Sequence, residues 1–258
     1  FKITSSIADQ KDKFLGIEGY LRRKILKKID FFLKQKNFYI EMKDNQKKTE
    51  YDENLINCKF ANKVFFEGYF ESEKYFIDFK DEILNEFDFT DIEKYKKSPF
   101  FSEISQKNTV SICIRQNRFV EGRGTYSGKN LIKSNKFRDE QINYINRSIF
   151  YMKKHLDNPI FYLWSNDLDN IDMSSLDTNL TKISHNTQNL KNIDQRALDL
   201  FLISQCNHHI VIPSSFNWWG AWLSKRKDKI ICRPHKNFFT YFSLNNKDFW
   251  PEQWVEIS

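Results

Sequence analysis

The stretch "HHIVIPSSFNWWGAW" occupies residues 208–222. An apolar run, Ile210-Val211-Ile212, reaches Pro213, then two hydroxyls, then a short Trp-rich segment around Gly220. A strand without apolar–polar alternation is one buried on both faces, the pattern of a parallel sheet covered by helices. A strand that turns through hydroxyls into a helix also makes an anion site. The first N–H groups of that helix lack intrahelical partners, and its dipole favours negative charge. On this reading Ser214 and Ser215 supply further donors. Trp218, Trp219 and Trp222 anchor the short helix against the sheet, and Gly220 allows close helix–strand approach. The competing reading makes Ser214 a simple N-cap and the tryptophans simple core.

Working outward, the same alternation recurs. "TVSICIRQ" (109–116), "PIFYLWSND" (159–167) and "DKIICRP" (228–234) read as strands. "DEQINYINRSIFYMKKHL" (139–156) and "NIDQRALDLFLISQC" (192–206) read as helices between them. Strands alternating with helices predict βαβ units and a parallel sheet. The change of character near residue 107 sets a domain boundary there. Residues 1–107 are expected to form a largely helical N-terminal region, and residues 108–258 an α/β domain with a parallel sheet.

Within the first region, residues 12–36 read as one helix, with Leu15, Tyr20, Leu21, Ile25, Ile29, Phe32 and Leu33 at helical spacing. Its other face carries Arg22, Arg23, Lys24, Lys27 and Lys28. A core helix with a solvated basic face is the favoured reading, and a membrane-surface helix the alternative. Residues 77–98 look helical and acidic up to the break at Ser98-Pro99.

Composition narrows the classes. The 258 residues are 40% hydrophobic and include 25 Phe, ample core for one large or two ordinary domains, which excludes a disordered chain. Cys58, Cys113, Cys206 and Cys232 are far apart with no C-x-x-C pair, which argues against a zinc ribbon or dithiol site and fits a reducing cytoplasm. No apolar run is long enough to span a membrane, and the start shows no signal-peptide pattern. The net charge of +7 suits anionic lipid or phosphate-bearing partners. A nucleic-acid role would rest on that charge alone, without aromatic–basic interleaving.

In an open α/β sheet, ligands bind beyond the carboxyl ends of the strands. Three strands end in polar side chains: Arg115, Gln116, Asn117 and Arg118; then Ser165, Asn166 and Asp167; then Ser214 and Ser215. Arg115 offers a fork matched to a diphosphate, or a surface ion pair. Asp167 can accept two N–H donors from a guanine edge, or cap a turn. Asp167-Leu168-Asp169 also reads as a D-x-D site for Mg²⁺ or Mn²⁺. His185 sits in a polar loop within reach of a ligand, while the adjacent His208 and His209 point to opposite faces of a strand.

Four segments resemble the bacterial α-1,2-fucosyltransferases of glycosyltransferase family 11. "LDLFLISQCNHHIVIPSSFNWWGAWL" (198–223) is similar to the family's closing motif, and its S-S-F-x-W-W-G-A-W core is long and specific. "GYFESEKYF" (68–76), "FYLWSNDLDN" (161–170) and "WPEQWVEI" (250–257) match further family segments, so the likeness covers about residues 60–258. It implies a GT-B-like α/β fold of two Rossmann-like halves with parallel sheets and the GDP-sugar in the C-terminal half. The family's G-x-L-G-N-Q start is missing, which makes the N-terminal half incomplete or atypical.

The resemblance implies an inverting transfer of L-fucose or a related sugar from a GDP-sugar to a glycan hydroxyl, in bacterial surface polysaccharide (O-antigen) synthesis. The expected partners are GDP-fucose or another GDP-sugar and a glycan acceptor, free or lipid-linked, with no nucleic acid. No metal or cofactor is expected beyond the donor as co-substrate. The expected location is the cytoplasm, with peripheral contact to the inner membrane as an option.

Carried over position by position, Arg115 holds the diphosphate, and Ser165, Asn166 and Asp167 lie at the donor, with Asp167 facing guanine. Asp199, Ser214, Ser215 and Phe216 match donor-site positions, and His185 and Asn186 match the loop before the helix. The family's H-x-R-x-G-D is here Cys113-Ile114-Arg115-Gln116-Asn117-Arg118, so the arginine is kept and Arg118 adds a positive charge where the family has an aspartate. For the acceptor-side base, Glu121 and Glu73 are candidates by residue type only. Two other readings stay open: a metal-dependent transferase using Asp167 and Asp169, and an inactive nucleotide- or glycan-binding homologue.

Overall fold

The computed structural model describes residues 4–41, 50–90, 92–121, 127–183, 194–239 and 247–258. The chain forms two compact units, Phe1–Glu86 with Leu244–Pro251, and Phe87–Ser243 with Glu252–Ser258. Residues 87–107, grouped by sequence with the N-terminal region, are part of the second unit.

The first unit contains α1 (Gly16–Asp30), β1 (Lys36–Ile40), α2 (Asn54–Asn57), β2 (Phe60–Glu67) and α3 (Lys80–Glu86). β1 and β2 pair in parallel as a two-stranded sheet. The single helix expected over 12–36 is broken, and Asp30 accounts for the break. Its buried carboxylate accepts the N–H groups of Asn37 at 2.5 Å and Phe38 at 3.3 Å, turning the chain into β1. Lys36 Nζ donates to the carbonyls of Asp30 at 2.8 Å and Phe31 at 3.2 Å, so a cation closes the negative end of the helix.

The core-helix reading of α1 is also corrected. Its polar side meets the unit, where Arg23 and Lys27 pair with Glu67 of β2. Burial alone would raise the Glu67 carboxyl, but the hydrogen bonds from Lys27 and Arg23 outweigh it and bring it down to about 2. Ile17, Leu21, Ile25, Ile29 and Phe32 are instead 50–83% exposed.

The "GYFESEKYF" segment follows β2 as a tight turn. The Glu41 carboxylate accepts the N–H groups of Tyr69 at 2.6 Å and Phe70 at 2.9 Å. Gly68 is required there, because a Cβ would lie 2.4 Å from Glu41 Cβ. Tyr75 OH accepts the N–H of Asp52 at 2.9 Å, and Tyr39 OH donates to the Asp52 carboxylate at 2.5 Å. The family-like segment is thus tied into its own unit by part-buried polar bonds.

The second unit holds α4 (Ile92–Lys96), α5 (Phe101–Ile104), β3 (Thr109–Ile114), α6 (Gly128–His155), β4 (Ile160–Ser165), β5 (Leu180–Lys182), α7 (Gln195–Gln205), β6 (His208–Ile210), α8 (Ser215–Trp222), β7 (Ile231–Pro234) and β8 (Val255–Ile257). Its six strands pair in parallel in the order β5-β4-β3-β6-β7-β8. Counted within the unit this is 3-2-1-4-5-6, the order of a Rossmann sheet. The α/β, parallel-sheet expectation is met.

Both faces of the sheet are covered, as its unbroken apolar strands require. Val110, Ile112 and Ile114 of β3 pack with Phe137, Tyr144, Ile145 and Ile149 of α6 on one side. Cys113, Tyr162 and Trp164 pack with Leu198, Phe201 and Leu202 of α7 on the other. Gly220 does serve a close approach, but to a helix rather than a strand. A Cβ there would lie 2.5 Å from Ile203 Cγ2 of α7. The α8 indoles look away from the strand ends: Trp218 lies 5.5 Å from Trp254, and Trp219 stacks on Phe87 at 5.3 Å.

Candidate functional site

In a Rossmann sheet, the strand order reverses between the first and fourth strands, here β3 and β6, and a crevice opens above their carboxyl ends. A cleft of about 320 Å³ lies there. Cys113, Ile114 and Arg115 line it from β3, and Trp164, Ser165 and Asn166 from β4. Ile212 and Ser214 follow β6, Phe216 and Asn217 open α8, and Arg196 and Asp199 come from α7. A shallower depression of about 840 Å³ runs along α6 and β8 beside Arg147, Lys154 and Glu256. It lies at the edge strand β8 and not at the β3–β6 reversal, and we give the site to the smaller cleft, where three strand ends and polar side chains converge.

Each wall is fixed by local bonds. Gln141 on α6 accepts the Arg115 N–H and donates to the Arg115 carbonyl, both at 2.9 Å. Asn166 accepts the Gln116 N–H at 2.8 Å and donates to the Gln116 carbonyl at 3.2 Å. Asn117 follows with φ of 55°, the left-handed conformation that Asn tolerates better than most residues. It stands where the resembled motif has glycine, so the turn survives the substitution. Arg118 leaves the cleft wall; its guanidinium donates to the Pro213 carbonyl at 3.3 Å and lies over the Phe137 ring.

At the third strand end, Ser214 N–H donates to the Ile212 carbonyl at 2.7 Å, which bends the chain into α8. Ser214 occupies the N-cap position, but its hydroxyl makes no capping bond and lines the cleft instead. Ser215 is exposed at the first turn of α8. Asn217 is buried; it accepts the Ile212 N–H at 2.7 Å and donates to Cys113 Sγ at 3.0 Å. Burial, and then the nearby Asp199 charge, push the Cys113 thiol well up. It is held as a neutral thiol, not a nucleophile.

Arg115 Nη2 lies 2.6 Å from the Glu121 carboxylate, and both side chains are partly exposed. Asp167 turns aside: its two oxygens accept Asn170 Nδ2 at 3.0 and 2.9 Å, and its N–H donates to Ser165 Oγ at 3.1 Å. Among the described residues, no three or more His, Cys, Asp or Glu side chains gather as metal ligands. Glu73 is buried in a short turn of the first unit. His185 and Asn186 lie outside the described residues.

The cleft therefore gathers Arg115, Ser165, Asn166, Asp199, Ser214 and Phe216 from the sequence expectations. Sequence reasoning missed Gln141, Arg196, Asn217 and Trp164. Arg196 and Asn217 stood in plain positions, the first turns of helices facing the strand ends. Gln141 carried no signal, being one polar residue among several in a long helix.

Residues 15–258 match the family model described as Glycosyl transferase family 11. An alpha-1,2-colitosyltransferase of Escherichia coli is 30% identical over 208 residues, 78% of this chain and 65% of that protein. The O-antigen biosynthesis glycosyltransferase WbnK of Escherichia coli is 39% identical over 62 residues, 24% of this chain and 19% of that protein. The chain thus spans just under two thirds of the first relative and a fifth of the second. No solved structure gives a significant match.

Proposed function

Because the chain belongs to glycosyl transferase family 11, we propose that it transfers L-fucose, or a related sugar such as the colitose of its relative's name, from a GDP-sugar to a glycan hydroxyl in O-antigen synthesis. The observation that carries this reading is the cleft itself. It sits at the reversal point of a 3-2-1-4-5-6 sheet with Arg115 on one wall and the start of α8 on the other. A diphosphate suits that pairing of a guanidinium fork with unpartnered helix N–H groups.

In the proposed reaction the acceptor oxygen bonds to the anomeric carbon as the bond from that carbon to the diphosphate oxygen breaks. The acceptor proton passes to a base, and GDP leaves. Negative charge grows on the diphosphate, and fixed donors aimed at it lower the barrier. We assign that role to Arg115, the Ser214 hydroxyl and the first N–H groups of α8, without a metal. Glu121, held beside Arg115, is our choice of base over Glu73, which is buried in its own turn. Asp167, engaged by Asn170, would have to exchange that partner to meet guanine.

We further assign the membrane contact to α1. Among the described residues, no helix is long and apolar enough to cross a membrane. Yet α1 shows solvent an apolar ladder with Lys24 and Lys28 exposed beside it. An amphipathic helix of this make-up suits an anionic lipid surface and would bring the protein to a lipid-linked acceptor.

Thermal stabilisation by GDP, UDP, ADP and GDP-fucose, with and without EDTA, tests the donor. A shift with GDP and GDP-fucose that EDTA leaves intact is expected, and Arg115→Ala should remove both the shift and transfer. A UDP preference, or a shift lost to EDTA, would overturn the reading in favour of a metal-dependent transferase.

A further inference from the structure

Beyond Ile114, β3 outruns its ladders. Its register with β4 ends at Ile114–Ser165, and that with β6 at Ile112–Ile210. The next two residues are Arg115 and Gln116, and their backbone groups are taken by two side-chain amides. Along a strand, successive residues aim their N–H and C=O groups at opposite edges. A primary amide presents a donor and an acceptor side by side, as one residue of a neighbouring strand does. Gln141 thus stands in for the missing neighbour at Arg115, and Asn166 for the one at Gln116.

Gln141 is fully buried, and the α6 residues that pack the sheet around it are Phe137, Tyr144 and Ile145. An apolar side chain would fill such a position, and a polar one there is costly unless both its groups are bonded. Its two bonds both go to Arg115. We propose that Gln141 is a positioning residue: it fixes the Arg115 backbone so that the guanidinium starts from one place when it meets the donor diphosphate. The inference rests on reading the cleft as a diphosphate site. It matters because a fork pairs two oxygens in one geometry, and misplacement by about 1 Å forfeits much of such an interaction.

The test is GDP titration calorimetry on the full chain, with melting temperatures measured alongside. The proteins are wild type, Gln141→Met, Gln141→Asn, Arg115→Ala and Gln141→Met combined with Arg115→Ala. Gln141→Met keeps the length but loses both bonds; Gln141→Asn stays polar but is a methylene too short to make both. Each is expected to weaken GDP roughly tenfold, the scale of a small misplacement. In the Arg115→Ala background, Gln141→Met is expected to add little. Equal loss with and without Arg115 overturns the inference, because the effect is then general to the fold. So does unchanged GDP affinity in either folded variant, and Gln141→Asn decides if Gln141→Met fails to fold. A wild-type chain that takes no GDP overturns the underlying donor reading and this inference with it.

Discussion

The guanidinium of Arg115 lies 2.6 Å from the Glu121 carboxylate, so the cation we propose for the diphosphate is already engaged by an anion. Both side chains are about two-fifths exposed, which makes this a weak pair that a doubly charged diphosphate can displace. Displacement frees the Glu121 carboxylate beside the donor. Glu121→Gln is therefore expected to tighten GDP binding by about 1.5- to 5-fold, the range of an exposed ion pair of ~0.2–1 kcal/mol. Turnover is expected to fall at least tenfold, because the amide cannot take a proton. Calorimetry and a transfer assay on one preparation check both. Weaker GDP binding would mean that Glu121 contacts the donor, and unchanged turnover would remove it as the base.

Gly220→Ala probes why the Trp-rich segment needs a glycine. The added methyl would lie 2.5 Å from Ile203 Cγ2, on a β-branched side chain with little room to swing away. Overpacking of this kind costs about 1–3 kcal/mol. A clear fall in melting temperature is expected. A variant as stable as wild type would refute the close α7–α8 approach.

These two cases show how legible the molecule was. The strands β3, β4 and β6 were readable, because a strand buried on both faces needs an unbroken apolar run, and so was α7, whereas α6, read over 139–156, begins already at Gly128. The place of Arg115, Ser165, Asn166 and Ser214 at the strand ends was readable too, because they follow directly on those runs. Gly220 was read as a close-packing residue but given the wrong neighbour, since spacing along a chain does not say which element lies opposite. Gln141 was invisible: helical periodicity sorts polar residues outward, and this one is buried for a backbone group 26 residues away. α1 misled for a related reason. Its period was correctly helical, but period does not say which face meets the rest of the unit, and Glu67 draws Arg23 and Lys27 inward. β5 and β8 are three residues each, too short to show any pattern.

His209 predicts the acid limit of the fold. It is fully buried on β6, and its Nδ1 bonds Ser111 Oγ of β3 at 2.8 Å. Burial first, then the Lys229 charge and electrostatic repulsion from His208, hold its pKa well below the ordinary value. The unfolded chain takes up a proton below about pH 6.5 that the folded chain refuses. Stability contributed by the neutral ring is therefore full above that pH and is lost as pH falls, at up to about 1.4 kcal/mol per unit. Melting temperature should drop between pH 7 and 5 in wild type, and drop less steeply in His209→Asn. Parallel profiles would show that other groups set the acid limit.

The exposed face of α1 gives the last prediction. Ile17, Leu21, Ile25 and Ile29 repeat along one side of the helix, with Phe32 exposed in the turn that follows it, and Lys24 and Lys28 emerge beside them. A protein partner would be expected to meet these lysines with carboxylates; an anionic bilayer meets them with lipid headgroups while the aliphatic side chains enter the interface. Each lysine near such a surface contributes about 1 kcal/mol. The chain is expected to sediment with phosphatidylglycerol vesicles and not with phosphatidylcholine vesicles. Lys24→Gln with Lys28→Gln should weaken that binding about thirtyfold, the equivalent of ~2 kcal/mol. Ile25→Asp should weaken it further at unchanged melting temperature, since Ile25 is exposed in the folded unit. Equal binding to neutral vesicles would deny the electrostatic part. A dimer in solution that Ile25→Asp dissociates, with no vesicle binding, would hand the face to a second copy of the chain.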